Sequence, residues 1–140
     1  MGTIKSDNIQ ARTDADGVLI KSYKETNQSL SSTSGAIAID LANGNCGSIT
    51  LTENITAINF TNVPTSGVAN FTLKITQHAS SAKTVTITSA VSVNGGTAAT
   101  PKTSGAGGFT MTTTFSREDI LTFLFFDAGT PLLSSLQDFA

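Results

Sequence analysis

The segment NFTLKITQHASSAKTVTITS, Asn70 to Ser89, decides how the chain is read. Phe71, Leu73 and Ile75 alternate with Thr72, Lys74 and Thr76; after residues 77–83, Val85 and Ile87 alternate with Thr84, Thr86 and Thr88. Successive side chains of a strand point to opposite faces, so each limb has one apolar face and one that is almost all threonine. A half-buried antiparallel sheet needs this pattern, and residues 77–83 are expected to turn the chain into a hairpin.

Similar alternation spreads outward. Ile37, Ile39 and Leu41 form one face, Asn43-Gly44-Asn45 turns the chain, Ile49 and Leu51 start another strand, and a further one runs through Ile58 and Phe60 to Val63. Pro64 and Gly67 mark the bend before the central segment. Beyond it, Val91 and Val93 lead to the turn signal Asn94-Gly95-Gly96, and Thr97 to Gly108 reads as a loop. Phe109, Met111 and Phe115 open the next strand, and Ser116-Arg117-Glu118-Asp119 has capping-box spacing that predicts one helical turn. In the run Ile120-Leu121-Thr122-Phe123-Leu124-Phe125-Phe126 both faces are bulky, as for a strand covered by the opposing sheet and by another subunit. Phe123, Phe125 and Phe126 are therefore the expected subunit interface. Asp127–Thr130 then turns the chain into a last strand around Leu132, Leu133 and Leu136. Short strands at near-regular spacing, with no amphipathic helix, predict an all-β fold: an antiparallel β-sandwich or jelly-roll-like domain.

Residues 1–35 differ from residues 36–140. Charged residues crowd the first 26 positions, and apolar ones are sparse: Ile4, Ile9, Val18, Leu19, Ile20 and Tyr23. Such a segment buries too little to fold alone. It is expected to form an extended arm, with a turn at Asp14-Ala15-Asp16-Gly17 and a linker from Asn27 to Gly35, preceding a β-sandwich domain over 36–140. Those six apolar residues are the expected contacts to a neighbouring subunit or a supporting surface.

Composition narrows the classes of function. Only 13% of the 140 residues are charged, the net charge is -2, and 23 threonines with 16 serines make a neutral, hydroxyl-rich surface. Nucleic acid, whose binding rests on Lys and Arg contacts to phosphate, is an unsuitable partner. No window approaches a membrane span, and the polar start Met1-Gly2-Thr3-Ile4-Lys5 predicts a protein made in the cytoplasm without a signal peptide. Sheet edges with few charges lack the usual protection against pairing, which suits a chain that uses them to join a symmetric assembly.

Groups for chemistry are few. His78 is the one histidine and sits in the expected hairpin loop, without triad or metal partners nearby in sequence. Cys46 is single and reads as structural. Adjacent Glu118 and Asp119 diverge on a strand or cap a helix, rather than flanking a glycosidic bond. Asp14–Gly17 lacks the rest of a calcium loop, and Gly105-Ala106-Gly107-Gly108 lacks the Lys-Ser or Lys-Thr of a phosphate loop. The expectation is a non-enzyme with no catalytic, metal or cofactor residues.

The series Ile49–Thr56 (ITLTENIT), Phe71–Gln77 (FTLKITQ), Thr84–Ile87 (TVTI), Asn94–Thr97 (NGGT) and Glu118–Phe123 (EDILTF), with Gly129-Thr130, resembles a β-rich module of tailed-bacteriophage structural proteins. The resemblance covers residues 36–139 and implies a virion protein. Its first form is a homotrimeric capsid decoration or cement protein that binds the major capsid protein, or another virion protein, through the arm and stabilises capsomer contacts. Its alternative form is a short tail-fibre or receptor-binding tip, with loops 77–83 and 97–108 facing the host. Ser89 and Pro131 stand where such modules carry tryptophan, which removes an aromatic platform for glycans.

Overall fold

Alternating apolar residues build one continuous core from two sheets. The computed structural model describes residues 24–104 and 109–140. Among them are ten strands: β1 (Asn27–Ser29), β2 (Ser32–Thr33), β3 (Ala36–Asp40), β4 (Cys46–Thr50), β5 (Ala57–Thr61), β6 (Val68–Thr76), β7 (Val91–Val93), β8 (Lys102–Thr103), β9 (Glu118–Phe126) and β10 (Leu132–Phe139). A 3-10 turn, Leu41–Asn43, starts where the Asp40 carboxylate accepts the Ala42 N–H. The larger sheet has the order β1-β4-β6-β9-β10-β8, the smaller one β2-β3-β5-β7.

The chain winds back and forth between the sheets. From β1 it crosses to β3, returns to β4, crosses to β5, returns to β6 and crosses to β7. Within each sheet these successive strands are parallel, β1 on β4 on β6 and β3 on β5 on β7. Parallel register stacks like on like. Ile37, Ile58 and Val91 form one buried column, and Ile39, Phe60 and Val93 form the next. The C-terminal strands then complete the larger sheet, β9 running antiparallel to β6 and β10 antiparallel to β9.

Phe60 of the smaller sheet holds the two sheets together. Its ring meets Phe71, Phe123 and Phe125 of the larger sheet edge-on, with centroids 5.8, 5.0 and 4.9 Å away. Close approach of β1 is permitted by Gly47, where a Cβ would stand 2.8 Å from Leu30 and 2.9 Å from the Phe71 ring. Any larger residue there must displace the core.

Four expectations from sequence are corrected. The segment 70–89 is not a hairpin: β6 pairs with β4 and β9, while the returning limb leaves the larger sheet and lies parallel to Ile55 at Val85. Asn54 and Ile55 capture it, since Thr84 N–H donates to Asn54 Oδ1 and Ile55 exchanges bonds with Thr84 O and Thr86 N–H. The sheets are mixed rather than antiparallel, because crossing between sheets in each coil brings successive strands of one sheet into the same direction. Within the expected linker, Asn27–Ser29 and Ser32–Thr33 are strands: Gln28 turns its amide inward and donates to the carbonyls of Asp40 (2.7 Å) and Gly44 (2.8 Å). No helical turn caps β9; Ser116 adopts a positive φ of 60° and Glu118 and Asp119 already belong to the strand. The turn Asp14–Gly17, the arm residues Ile4, Ile9, Val18, Leu19, Ile20 and Tyr23, and the glycines of 105–108 lie outside the described residues.

Two buried polar side chains fix the ends of the sheet. Gln77 is 1% exposed; its Nε2 donates to Lys83 O (2.9 Å) and Thr112 O (2.8 Å), and its Oε1 accepts the N–H groups of His78 and Lys83. Asp119, fully buried, accepts the N–H groups of Thr112 (2.8 Å) and Asp138 (2.9 Å), fastening segment 109–113 and the end of β10.

Phe60→Ala is expected to lower unfolding free energy by about 3–5 kcal/mol in urea denaturation, while Phe126→Ala stays within about 1 kcal/mol. Equal losses would mean that the sheets are not joined through Phe60. Gln77→Glu keeps the shape but sets a carboxylate against two carbonyls, and about 2–4 kcal/mol of destabilisation is expected. A change under about 0.5 kcal/mol would show that the 77–83 turn does not depend on that amide.

Candidate functional site

Because strand side chains alternate, the residues between the core positions of the larger sheet form its outer face, and that face divides in two. On the side of β1, β4 and β6 it is hydroxyl and amide: Asn27, Ser29, Ser48, Thr50, Asn70 and Thr72. Asn27 Nδ2 donates to Ser48 Oγ across the parallel pair at 3.0 Å. On the side of β9 and β10 it is apolar. Leu124 pairs with Leu132, Ile120 with Leu136, and Phe126 with Val68 across to β6. Val68 is 61%, Phe126 53%, Leu132 41% and Leu136 63% exposed.

A groove of about 480 Å³ opens beside this apolar half, with Thr122, Leu124, Leu132 and Ser134 as its floor and Lys102–Ser104 as one wall. The outer face of the smaller sheet is different in kind: Ala36, Ala38, Ala57, Asn59, Thr61 and Ser92 are small or polar, and Ser92 Oγ donates to Asn59 Oδ1 at 2.7 Å. Large exposed apolar side chains thus concentrate on one sheet, where contiguous patches mark contact with another molecule.

On this face Lys102 stands exposed beside Leu132, while the charge of Lys74 is locally neutralised. Lys74 Nζ donates to Glu118 Oε1 at 2.7 Å, and Thr76 Oγ1 donates to the same oxygen at 3.2 Å. The Lys74 hydrogen bond is the main reason the Glu118 carboxyl lies below the usual glutamate range. On the opposite sheet, the Asn62 amide and then the Ala42 N–H hold the Asp40 carboxyl down in the same way.

The expected site residues are placed unevenly. Phe123 and Phe125 are consumed by the chain's own core, at 0% and 1% exposure, because odd positions of β9 face inward. They cannot contact a second subunit. Phe126, one position later, faces outward on the apolar half. Leu132, Leu136 and Val68 belong to the same surface and were missed, although Leu132 and Leu136 sit at the even positions that alternate with core residue Leu133. His78 caps its own loop: Nδ1 accepts the N–H groups of Ser80 (3.1 Å) and Ser81 (3.2 Å). Cys46 is a free, half-exposed thiol on β4, 3.5 Å from the Thr26 carbonyl. Among the described residues no three of His, Cys, Asp or Glu are grouped to hold a metal ion, and no helix is long and apolar enough to cross a membrane.

No family model, curated protein or solved structure matches this chain.

The Glu118 shift has a definite sign. A carboxyl whose folded pKa is lowered stabilises the fold above its unfolded value, and that stability is lost as pH falls through the folded pKa. Lys74→Met is therefore expected to raise the Glu118 pKa in a carboxyl-resolved NMR titration and to move the onset of acid unfolding to higher pH. An unchanged Glu118 titration would show that the pair does not form in solution.

Proposed function

We propose that this protein is a non-enzymatic structural component of a tailed-bacteriophage virion, acting as a capsid decoration or cement protein. Support comes from the stretches 49–56, 71–77, 84–87, 94–97 and 118–123, whose strand and turn residues resemble modules of that class. The observation that carries a docking role is the outer face of the larger sheet, half hydroxyl and half apolar, where Lys74 is neutralised by Glu118. A surface of this kind adheres by burial and backbone pairing rather than by charge, and attachment of this type reinforces a shell by adding binding energy only to its assembled state. The body is a sandwich-like packing of two sheets wound as parallel coils rather than as a jelly roll, and residues 1–23 serve as the arm that reaches a neighbouring capsomer through Ile4, Ile9, Val18, Leu19, Ile20 and Tyr23.

A second reading, a tail-fibre or receptor-binding tip, is favoured by one observation: the loop 77–83 is held in a single shape by four hydrogen bonds to Gln77 while Ala79, Ser80 and Ala82 stay exposed. A preorganised exposed loop is suited to recognition.

Purified full-length chain is expected to saturate expanded heads that lack it and to raise their resistance to heat. A chain lacking residues 1–23 keeps every described strand and is expected to lose attachment while retaining its melting midpoint. Full attachment by the shortened chain would remove the arm, and adsorption to host cells rather than to heads would transfer the protein to the tail.

A further inference from the structure

We infer that the apolar half of the outer face of the larger sheet, centred on Phe126, Leu132 and Leu136, is buried against a second copy of this chain. The inference assigns the apolar half to contact between copies and leaves the hydroxyl half and the arm for docking to a shell; its test reads the free chain in solution, so its failure is distinguishable from failure of the virion reading. Val68, Phe126, Leu132 and Leu136 are each 41–63% exposed, and Ile120 and Leu124 lie half-buried between them. Together they present on the order of 400 Å² of apolar surface, about half of the roughly 800 Å² that each partner contributes to a standard interface. The hydroxyl residues around them, Thr72, Thr122 and Ser134, supply the polar remainder that such interfaces carry.

The identity of the partner follows from charge and shape. A partner chosen by charge would meet a strongly charged face, whereas here Lys74 and Glu118 neutralise each other at 2.7 Å and Lys102, on the groove wall, is left as a lone cation among the described residues of this half. A copy of the same face is therefore opposed by a single lysine per chain at the groove's edge and by no wider field. Contact between identical chains also requires that one patch hold both protrusions and a recess. Phe126 and Leu136 protrude, and the groove of about 480 Å³ floored by Leu124 and Leu132 lies beside them. The smaller sheet, with alanines and a Ser92–Asn59 hydrogen bond on its outside, offers no such pair of features.

The test is the mass of the intact 140-residue chain by sedimentation equilibrium, from about 1 to 100 µM. A mass that is a closed multiple of 14.4 kDa is expected. Phe126→Lys with Leu136→Lys is expected to weaken association at least ~100-fold without moving the melting midpoint, since both side chains are more than half exposed. Ala38→Lys, on the outside of the smaller sheet, is expected to leave the assembly intact. A single-chain mass at every concentration overturns the proposal, and so does an oligomer that survives the double substitution. Association that appears only after residues 1–23 are removed also overturns it, because the chain's own N-terminal segment would then be what covers the face.

Discussion

Everything in this molecule depends on one aromatic contact across the two sheets. Phe60 is the single ring contributed by the smaller sheet, and three rings of the larger sheet close around it at 4.9–5.8 Å. Aligned parallel strands supply aliphatic columns on either side, but columns by themselves let two sheets slide. Edge-on rings of different strands fix one relative position, since each must meet the positive edge or negative face of the next. Gly47 serves the same contact from behind, by leaving the space that Phe71 and Leu30 fill.

With the inward positions committed to that core, the outward ones are free to vary, and they vary by sheet. The smaller sheet carries alanine, asparagine and serine outside; the larger carries threonine and serine on one half and leucine, isoleucine, valine and phenylalanine on the other. Stability and adhesion are thereby assigned to opposite faces of the same strands. In β9 the division runs residue by residue, Leu121, Phe123 and Phe125 inward against Ile120, Leu124 and Phe126 outward.

In 70–89 the inward-facing side chains were legible from sequence; the pairing of the strands was not. Phe71, Leu73, Ile75, Val85 and Ile87 are all buried as the alternation requires, and the intervening threonines point away from the core. A period of two names a face and says nothing of the neighbour, so 70–89 reads as a hairpin although its limbs belong to different layers. The decisive groups were polar and local: Asn54 seizing Thr84, Gln77 turning inward, Asp119 buried at the end of a strand. Asn27–Ser29 escaped notice for the same reason, since a polar strand held by the Gln28 amide has the composition of a linker. The apolar run 120–126 conveyed that both faces are apolar but not which phenylalanines enter the core, and that division fell to the register with β6.

The position of β9 has a consequence for synthesis. Neighbours in the larger sheet follow the order β1-β4-β6-β9-β10-β8, so the strand beside β6 is made some forty residues after it. While the ribosome is still working through the intervening loops, β6 has a bare hydrogen-bonding edge and Phe60 lacks two of its three ring partners. Completion waits for β9, and a chain interrupted before it carries an open edge of nine residues on β6. An unpaired edge is a template for pairing with another chain, so the arrival of β9 is the step that closes this liability.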